Sequence, residues 1–480
     1  MQNLEKSINE TKIIDHGPIV VLTTQSDKNA KIFVWIVWLI MVLIAFVCLV
    51  QYSRNIPITE DWLLVPPLTG NEPHITNWLW AQNNEHRIPF PRLLLLVLLK
   101  AAHGDFRVGM LFNLIILSML AVAMMQAARS LRGRTSVADA FFPLILLHLG
   151  NWENLFWSWQ LTQVVPTILT CALLLIFVER RPLATQSTAI MAGTFLMLLP
   201  LCGANGLLFV PLLACWLLYC GVLHWRTSKA QDGQRWIGGV LIGSAVVTVV
   251  LTGLYFVGYE RPAWTPPNPG LGATLKTTLQ FLALGFGPVA RTWFPLAIIA
   301  AIGVLLPSLG IALLGVFRHQ GMERQRALGV LVFFGSVMVF ALAMGWGRAG
   351  VIVIYGSWPI RYVLLAVPAF CTAFFIWELY GPPRLRTAVQ AGLLVAMCLV
   401  LPANTVHGFW WNDWYQKGTD ALEHDLLTGT PLSLLAEHHR KFLFHSMESS
   451  ELARLMWMLH EAGSEPFTQM QKEFISHEKE

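Results

Sequence analysis

The chain has 480 residues, of which 55% are hydrophobic and only 13% are charged. Soluble chains carry about 25% charged residues, so a water-exposed globule is excluded. The net charge of +5 is too small to indicate a nucleic-acid partner, and where the charges fall is more informative than their sum.

The 20 tryptophans sit chiefly near the ends of apolar runs, as indole rings do at a water–lipid boundary. The chain therefore reads as an all-α polytopic membrane protein. The 7 cysteines lie in or beside apolar stretches and form no CxxC pair, so neither a zinc site nor a disulfide framework is indicated.

Residues 1–31 are polar, mixed in charge and longer than the n-region of a signal peptide. The apolar run 32–50 has no small-residue cleavage site after it and reads as a retained first membrane helix. Further helices are expected at 108–128, 137–149, 161–178, 188–201, 207–223, 236–257, 293–316, 327–344, 362–379 and 387–401. That makes about eleven crossings. The shorter apolar stretches 90–102 and 279–290 read as interfacial or re-entrant helices. Pro262, Pro266, Pro267 and Pro269 make 260–270 a stiff, extended loop.

Short basic connections recur at Arg129/Arg132/Arg134, Arg180/Arg181, Arg226/Lys229/Arg235, Arg318/Arg324/Arg326 and Arg384/Arg386. With that number of crossings they all fall on one side, which the positive-inside rule makes cytoplasmic. The expected organisation is a cytoplasmic segment 1–31, a membrane domain 32–402 with a first external loop at 52–107, and an extracytoplasmic tail 403–480.

Polar residues concentrate on the external side. The first loop opens with Ile58-Thr-Glu-Asp-Trp62 and continues to Asn83-Asn-Glu-His-Arg87 and a helix carrying Arg92. A carboxylate there (Glu60, Asp61 or Glu85) can take a proton from an attacking hydroxyl, and Arg87 or Arg92 can hold a phosphate by paired hydrogen bonds. The same residues also fit a helix cap and lipid-headgroup pairing. Gly150-Asn-Trp-Glu-Asn-Leu-Phe-Trp-Ser-Trp-Gln160 is too aromatic for a solvated turn. Its indoles and its amide and carboxylate groups suit a sugar ring, although an aromatic belt explains Trp157 and Trp159 equally well. Asn205, in Gly203-Ala-Asn-Gly206, reads first as a helix N-cap. Arg291, Arg348 and Arg361 lie on the side where loop charge is disfavoured, which points to a shared anionic ligand.

Seven of the 14 histidines fall in the tail without metal-ligand spacing and read as solvated. The tail opens with the aromatic girdle 409–415, and short amphipathic helices at 432–443 and 451–460 are expected to form a small cap.

These elements resemble the GT-C superfamily of integral-membrane glycosyltransferases. The resemblance rests on Glu60-Asp61 soon after the first helix, the long first loop, the many crossings and the external arginines. The EDW, NEHR, WENxxWSWQ and GRxG…RY elements, spread over about residues 58–362, are similar to those of a poorly characterised bacterial group. The resemblance implies transfer of a sugar from a polyprenyl-phosphate carrier to a glycan, lipid or protein hydroxyl, with inversion, at the external face of a bacterial inner membrane. Asp61 or Glu60, with Glu85 as a further candidate, would be the base. Arg87, Arg92, Arg291, Arg348 and Arg361 would bind the carrier phosphate. His86, Asn151, Trp152, Glu153, Gln160 and Asn205 would contact sugar or acceptor. No cofactor is firmly indicated; without a DxD near the first loop a metal-dependent nucleotide-sugar mechanism is disfavoured, while a divalent metal is left open. The competing classes are a transporter or flippase of lipid-linked sugar, which would favour polar mid-membrane residues and repeated halves, and an O-antigen-type polymerase or ligase.

Overall fold

The computed structural model describes residues 25–227 and 232–470. Most of the expected segment 1–31, together with Lys229 and His477, lies outside the described residues. Within them the fold is helical, with no strand and one isolated β-bridge between Asn83 and His86.

Eight helices are long and apolar enough to cross a membrane: Asp27–Tyr52, Arg107–Arg132, Ser158–Val178, Gln234–Phe256, Phe294–Arg318, Gly321–Tyr355, Ile360–Tyr380 and Pro383–Leu427. Each coincides with one of the expected runs. The other three runs are shorter or broken. The run at 137–149 is a 3₁₀ turn, Val137–Ala140, leading into the short helix Phe141–Leu147. The run at 188–201 is Gln186–Leu198 followed by a 3₁₀ turn that carries Pro200. The run at 207–223 is Val210–Thr227, whose last turn holds His224 and Arg226.

Two helices form the centre. Ile360–Tyr380 has 94% of its most apolar stretch buried and Ser158–Val178 has 83%, against 22% for Phe294–Arg318 and 28% for Asp27–Tyr52. Phenylalanines fill the centre: Phe374 stacks on Phe141 at 5.7 Å, and Phe375 on Phe142 at 5.5 Å. Around the outside, Ile36, Leu43, Val47, Leu296 and Phe317 stand bare. Exposed to water, apolar surface costs about 25 cal/mol per Å², whereas against acyl chains that cost vanishes. The periphery is therefore built to face lipid.

One end of the bundle gathers basic connections. The Thr135 N–H donates to Asp27 at 2.7 Å. Arg132 reaches Asp139 at 3.1 Å and Glu378 at 2.9 Å, and Arg386 also reaches Glu378, at 3.3 Å. Arg326 donates to the Val178 carbonyl at 3.0 Å. These contacts tie together connections that the charge pattern assigns to a common side.

The other end carries the first loop. The short helix expected at 90–102 is Pro89–Ala101. The stretch 279–290 is the end of Leu271–Ala283 followed by two 3₁₀ turns, Leu284–Phe286 and Pro288–Arg291. The girdle 409–415 does not begin a separate tail. It lies inside one 45-residue helix, Pro383–Leu427, that also contains the last expected crossing. The amphipathic helices Leu432–Leu443 and Ser449–Glu461 follow, and the chain folds back on the first loop. Asn55 donates to the Glu465 carbonyl at 2.9 Å, Gln416 donates to that of Tyr52 at 2.6 Å, and Trp62 packs edge-on to Phe467 at 5.7 Å. Two tail histidines are not solvated: His439 meets Asp425 at 2.9 Å, and His460 meets the Phe467 carbonyl at 2.9 Å.

Candidate functional site

The turn at 58–62 divides its two carboxylates. Thr59 has φ 45, which is strained for a β-branched residue by about 1–3 kcal/mol. The turn closes through the Asp61 N–H on the Ile58 carbonyl at 3.0 Å, with the Ile58 N–H returning to an Asp61 oxygen at 3.4 Å. Glu60, which accepts from the Thr59 hydroxyl at 2.7 Å, faces a cavity. Asp61 does not. It is 0% exposed, and its Oδ1 has no hydrogen-bond partner. Burial pushes the Asp61 carboxyl well above the usual carboxylate range, and neighbouring Glu60 pushes it further. The Ile58 N–H, with Trp157 and the Trp159 backbone, offsets only part of this.

A second turn brings in Glu85 and His86. Asn83 and His86 exchange backbone hydrogen bonds at 2.8 and 2.9 Å, and Asn84 takes φ 49. The turn is braced by Arg87, which donates to the carbonyls of Trp80 (2.8 Å), Tyr255 (3.1 Å), Val257 (3.0 Å) and Gly258 (2.9 Å). Arg92 donates to the carbonyls of Trp78 and Ala81 at 2.8 and 2.6 Å and lies over the Trp78 ring. Both had been expected to hold phosphate. Buried backbone carbonyls require donors; these two guanidiniums supply them, and neither lines the cavity that Glu60 faces.

Glu85 pairs with Arg348. The His86 Nδ1 accepts from the Ala204 N–H at 3.2 Å, which leaves Nε2 3.7 Å from Glu85. Burial depresses the His86 imidazole, and Arg348 adds to the effect, so the ring is neutral. Burial raises the Glu85 carboxyl, but the neighbouring His86 ring and Arg348, which acts by both charge and hydrogen bond, outweigh it, and Glu85 stays below its ordinary value. Gly203 sits against this ring with φ +78, and a Cβ there would meet Ile88 at 2.9 Å and His86 at 3.3 Å. Asn205 is not the cap; Gly203 takes that position, and Asn205 donates to Gln163 at 2.8 Å.

Arg348 and Arg361 both lie over Tyr362, 5.5 and 5.7 Å from the ring centroid. An aromatic face attracts guanidinium groups and fixes their planes. Arg361 also reaches Glu153 at 3.4 Å. Glu60, Glu85, His86, Gln160, Asn205, Arg348 and Arg361 therefore line one cavity of about 110 Å³. A wider cavity of about 480 Å³ shares Glu85, His86, Asn205 and Arg348 with it and continues along Leu208, Met344 and Trp346. Gly350 lets the proline loop come close: a Cβ there would lie 2.6 Å from the Pro267 carbonyl oxygen.

Not every expected residue joins. Asn151 binds the carbonyls of Ile145 and Leu146 at 3.4 and 3.3 Å, and Trp152 is enclosed by Phe156, Tyr52 and Phe409. Both are buried structural residues. Arg291 donates to the Trp358 carbonyl at 2.7 Å and lines a different cavity, apart from Arg348 and Arg361. Arg261, Trp264, Gln163 and Tyr362 are among the lining residues that had no assigned role in the sequence reading. The first two ride on the loop that the prolines mark, and Tyr362 ends the GRxG…RY element.

No protein-family model and no curated protein matches the chain. Two solved structures of an Archaeoglobus fulgidus oligosaccharyltransferase are similar. One is tethered to an acceptor peptide, with TM-score 0.42 and 13% identity over 86% of this chain. The other, in complex with an inhibitory peptide and a dolichol-phosphate, has TM-score 0.41 and 14% identity over 86% of this chain. This chain spans about three fifths of their length, 59% and 60%.

Proposed function

We propose that the protein is a membrane glycosyltransferase that moves a sugar from a polyprenyl-phosphate carrier to a hydroxyl of an extracytoplasmic glycan, lipid or protein. One observation carries the reading: Glu60, two guanidiniums and a set of amide groups line a single cavity that adjoins a longer, partly apolar one. In this reading Glu60 takes the acceptor proton. The freed oxygen attacks the anomeric carbon, the bond from that carbon to the phosphate oxygen breaks, and the configuration inverts. Arg348 and Arg361 take up the charge growing on the departing phosphate. Glu85 fixes the plane of Arg348, and the apolar walls at Leu208, Met344 and Trp346 take the first isoprene units. The site end is then extracytoplasmic, the arginine-rich end is cytoplasmic, and the three shorter segments complete about eleven crossings.

The test is transfer in nanodiscs from polyprenyl-phosphate hexose or pentose. Glu60→Gln should lower the rate by about 10²–10⁴ while leaving the melting temperature and polyprenyl-phosphate binding unchanged. Full activity in that variant would remove Glu60 as the base.

A further inference from the structure

A third cavity, of about 520 Å³, lies beside the first and is walled by aromatic side chains from the long helix Pro383–Leu427. His407, Trp410 and Trp414 are spaced i, i+3 and i+7, so they share one face of that helix. Trp410 is 64% exposed and Tyr355 across from it 70%, so broad ring faces are left uncovered. Between them stand three polar groups. Arg291 spends one N–H on the Trp358 carbonyl and forms no ion pair among the described residues. The His407 Nδ1 is enclosed without a partner. Glu153 is 6% exposed and closes the wall toward the first cavity by pairing with Arg361.

The ligand class follows from this mixture. A phosphate or anionic headgroup would be drawn to Arg291 but repelled by Glu153. A cation would meet the reverse. A neutral polyol satisfies both, because each hydroxyl donates and accepts, and the C–H face of a pyranose packs on an indole. We infer that this cavity binds a neutral sugar ring of the acceptor, stacked on Trp410 and hydrogen-bonded to Arg291 and Glu153. Only the word acceptor rests on the transferase reading: the cavity is one ion pair away from the one that holds Glu60.

The experiment is saturation-transfer NMR on the full chain in nanodiscs free of glycoside detergent, with maltose, cellobiose and chitobiose as probes. Saturation should reach the ring C–H protons of at least one disaccharide, and should fall at least threefold in Trp410→Ala and in Arg291→Gln. Both variants should keep the wild-type melting temperature, because Trp410 is largely solvent-facing and Arg291→Gln retains a donor. Trp236→Ala, an exposed indole outside all three cavities, should leave the signal unchanged. No transfer to any of the three probes, persistence of the signal in Trp410→Ala/Trp414→Ala, or its displacement by phosphatidylglycerol would each overturn the inference. A thermal shift with polyprenyl phosphate is read in parallel. Its absence removes the donor assignment and leaves sugar binding standing.

Discussion

Asp61→Asn separates two chemically opposite roles for the acidic pair. Asp61 is fully buried, faces no arginine or lysine, and has Glu60 as its nearest charge. Burial raises the folded carboxyl above its unfolded value of about 3.9, and each pH unit of that rise is about 1.36 kcal/mol of stability lost once the pH exceeds both values. The sign follows from linkage. The folded state holds this proton more tightly than the unfolded chain, so the contribution is fully present below about pH 4 and is lost as pH rises. Asparagine has the shape of the neutral acid, can still accept from the Ile58 N–H and has no proton to lose. The variant should therefore melt at least as high as wild type at pH 7, by a few degrees in favourable conditions, with the gap closing toward pH 4. Transfer should survive, and an infrared carboxylic C=O band present in wild type should disappear. The reasoning is refuted if the variant melts well below wild type at pH 7 and recovers as pH falls, the signature of an ionised Asp61.

Arg348→Gln and Arg361→Gln each remove a charge-assisted donor worth about 1.5–3 kcal/mol, so polyprenyl-phosphate affinity should drop about 10- to 150-fold in a thermal-shift titration; unchanged affinity would move the phosphate elsewhere. Arg132→Met leaves Asp139 and Glu378 facing each other, although Arg386 and Gln390 still hold Glu378. Breaking a buried ion pair costs about 3–5 kcal/mol, so the folded fraction should melt several degrees lower with the site end unaffected. Gly203→Ala places a Cβ against Ile88 and His86 at positive φ, and transfer should fall together with the melting temperature.

The motifs were legible because their chemistry is local. Asn83-Asn-Glu-His-Arg87 is a turn in the chain as it is in space, and the arginine-rich connections do meet at one end. Which way each side chain points was not legible. In Glu60-Asp61 the choice is made by a positive φ at Thr59, and adjacent residues in a turn carry no signal for that. Arg87 and Arg92 read as free cations because the carbonyls they satisfy come from 78–81 and 255–258, and no spacing rule connects those segments. His407 read as solvated because the groups that share its cavity, Arg291 and Glu153, are brought in by segments distant in sequence. Asn205 followed the usual preference of asparagine for caps, but Gly203 alone tolerates the backbone required there.

The 45-residue helix Pro383–Leu427 would measure about 68 Å if straight, more than twice a bilayer's hydrocarbon thickness of roughly 30 Å. Its far half carries His407, Trp410 and Trp414 and then meets the strand-free segment behind Glu60 through Gln416 and Tyr415. The C-terminal helices are thus scaffolding rather than ornament. A shortened chain ending before Leu432 would lose Phe467 from beneath Trp62 and the Glu465 anchor of Asn55. Such a truncation would loosen the ledge on which Glu60 stands without altering a single residue of the pocket itself.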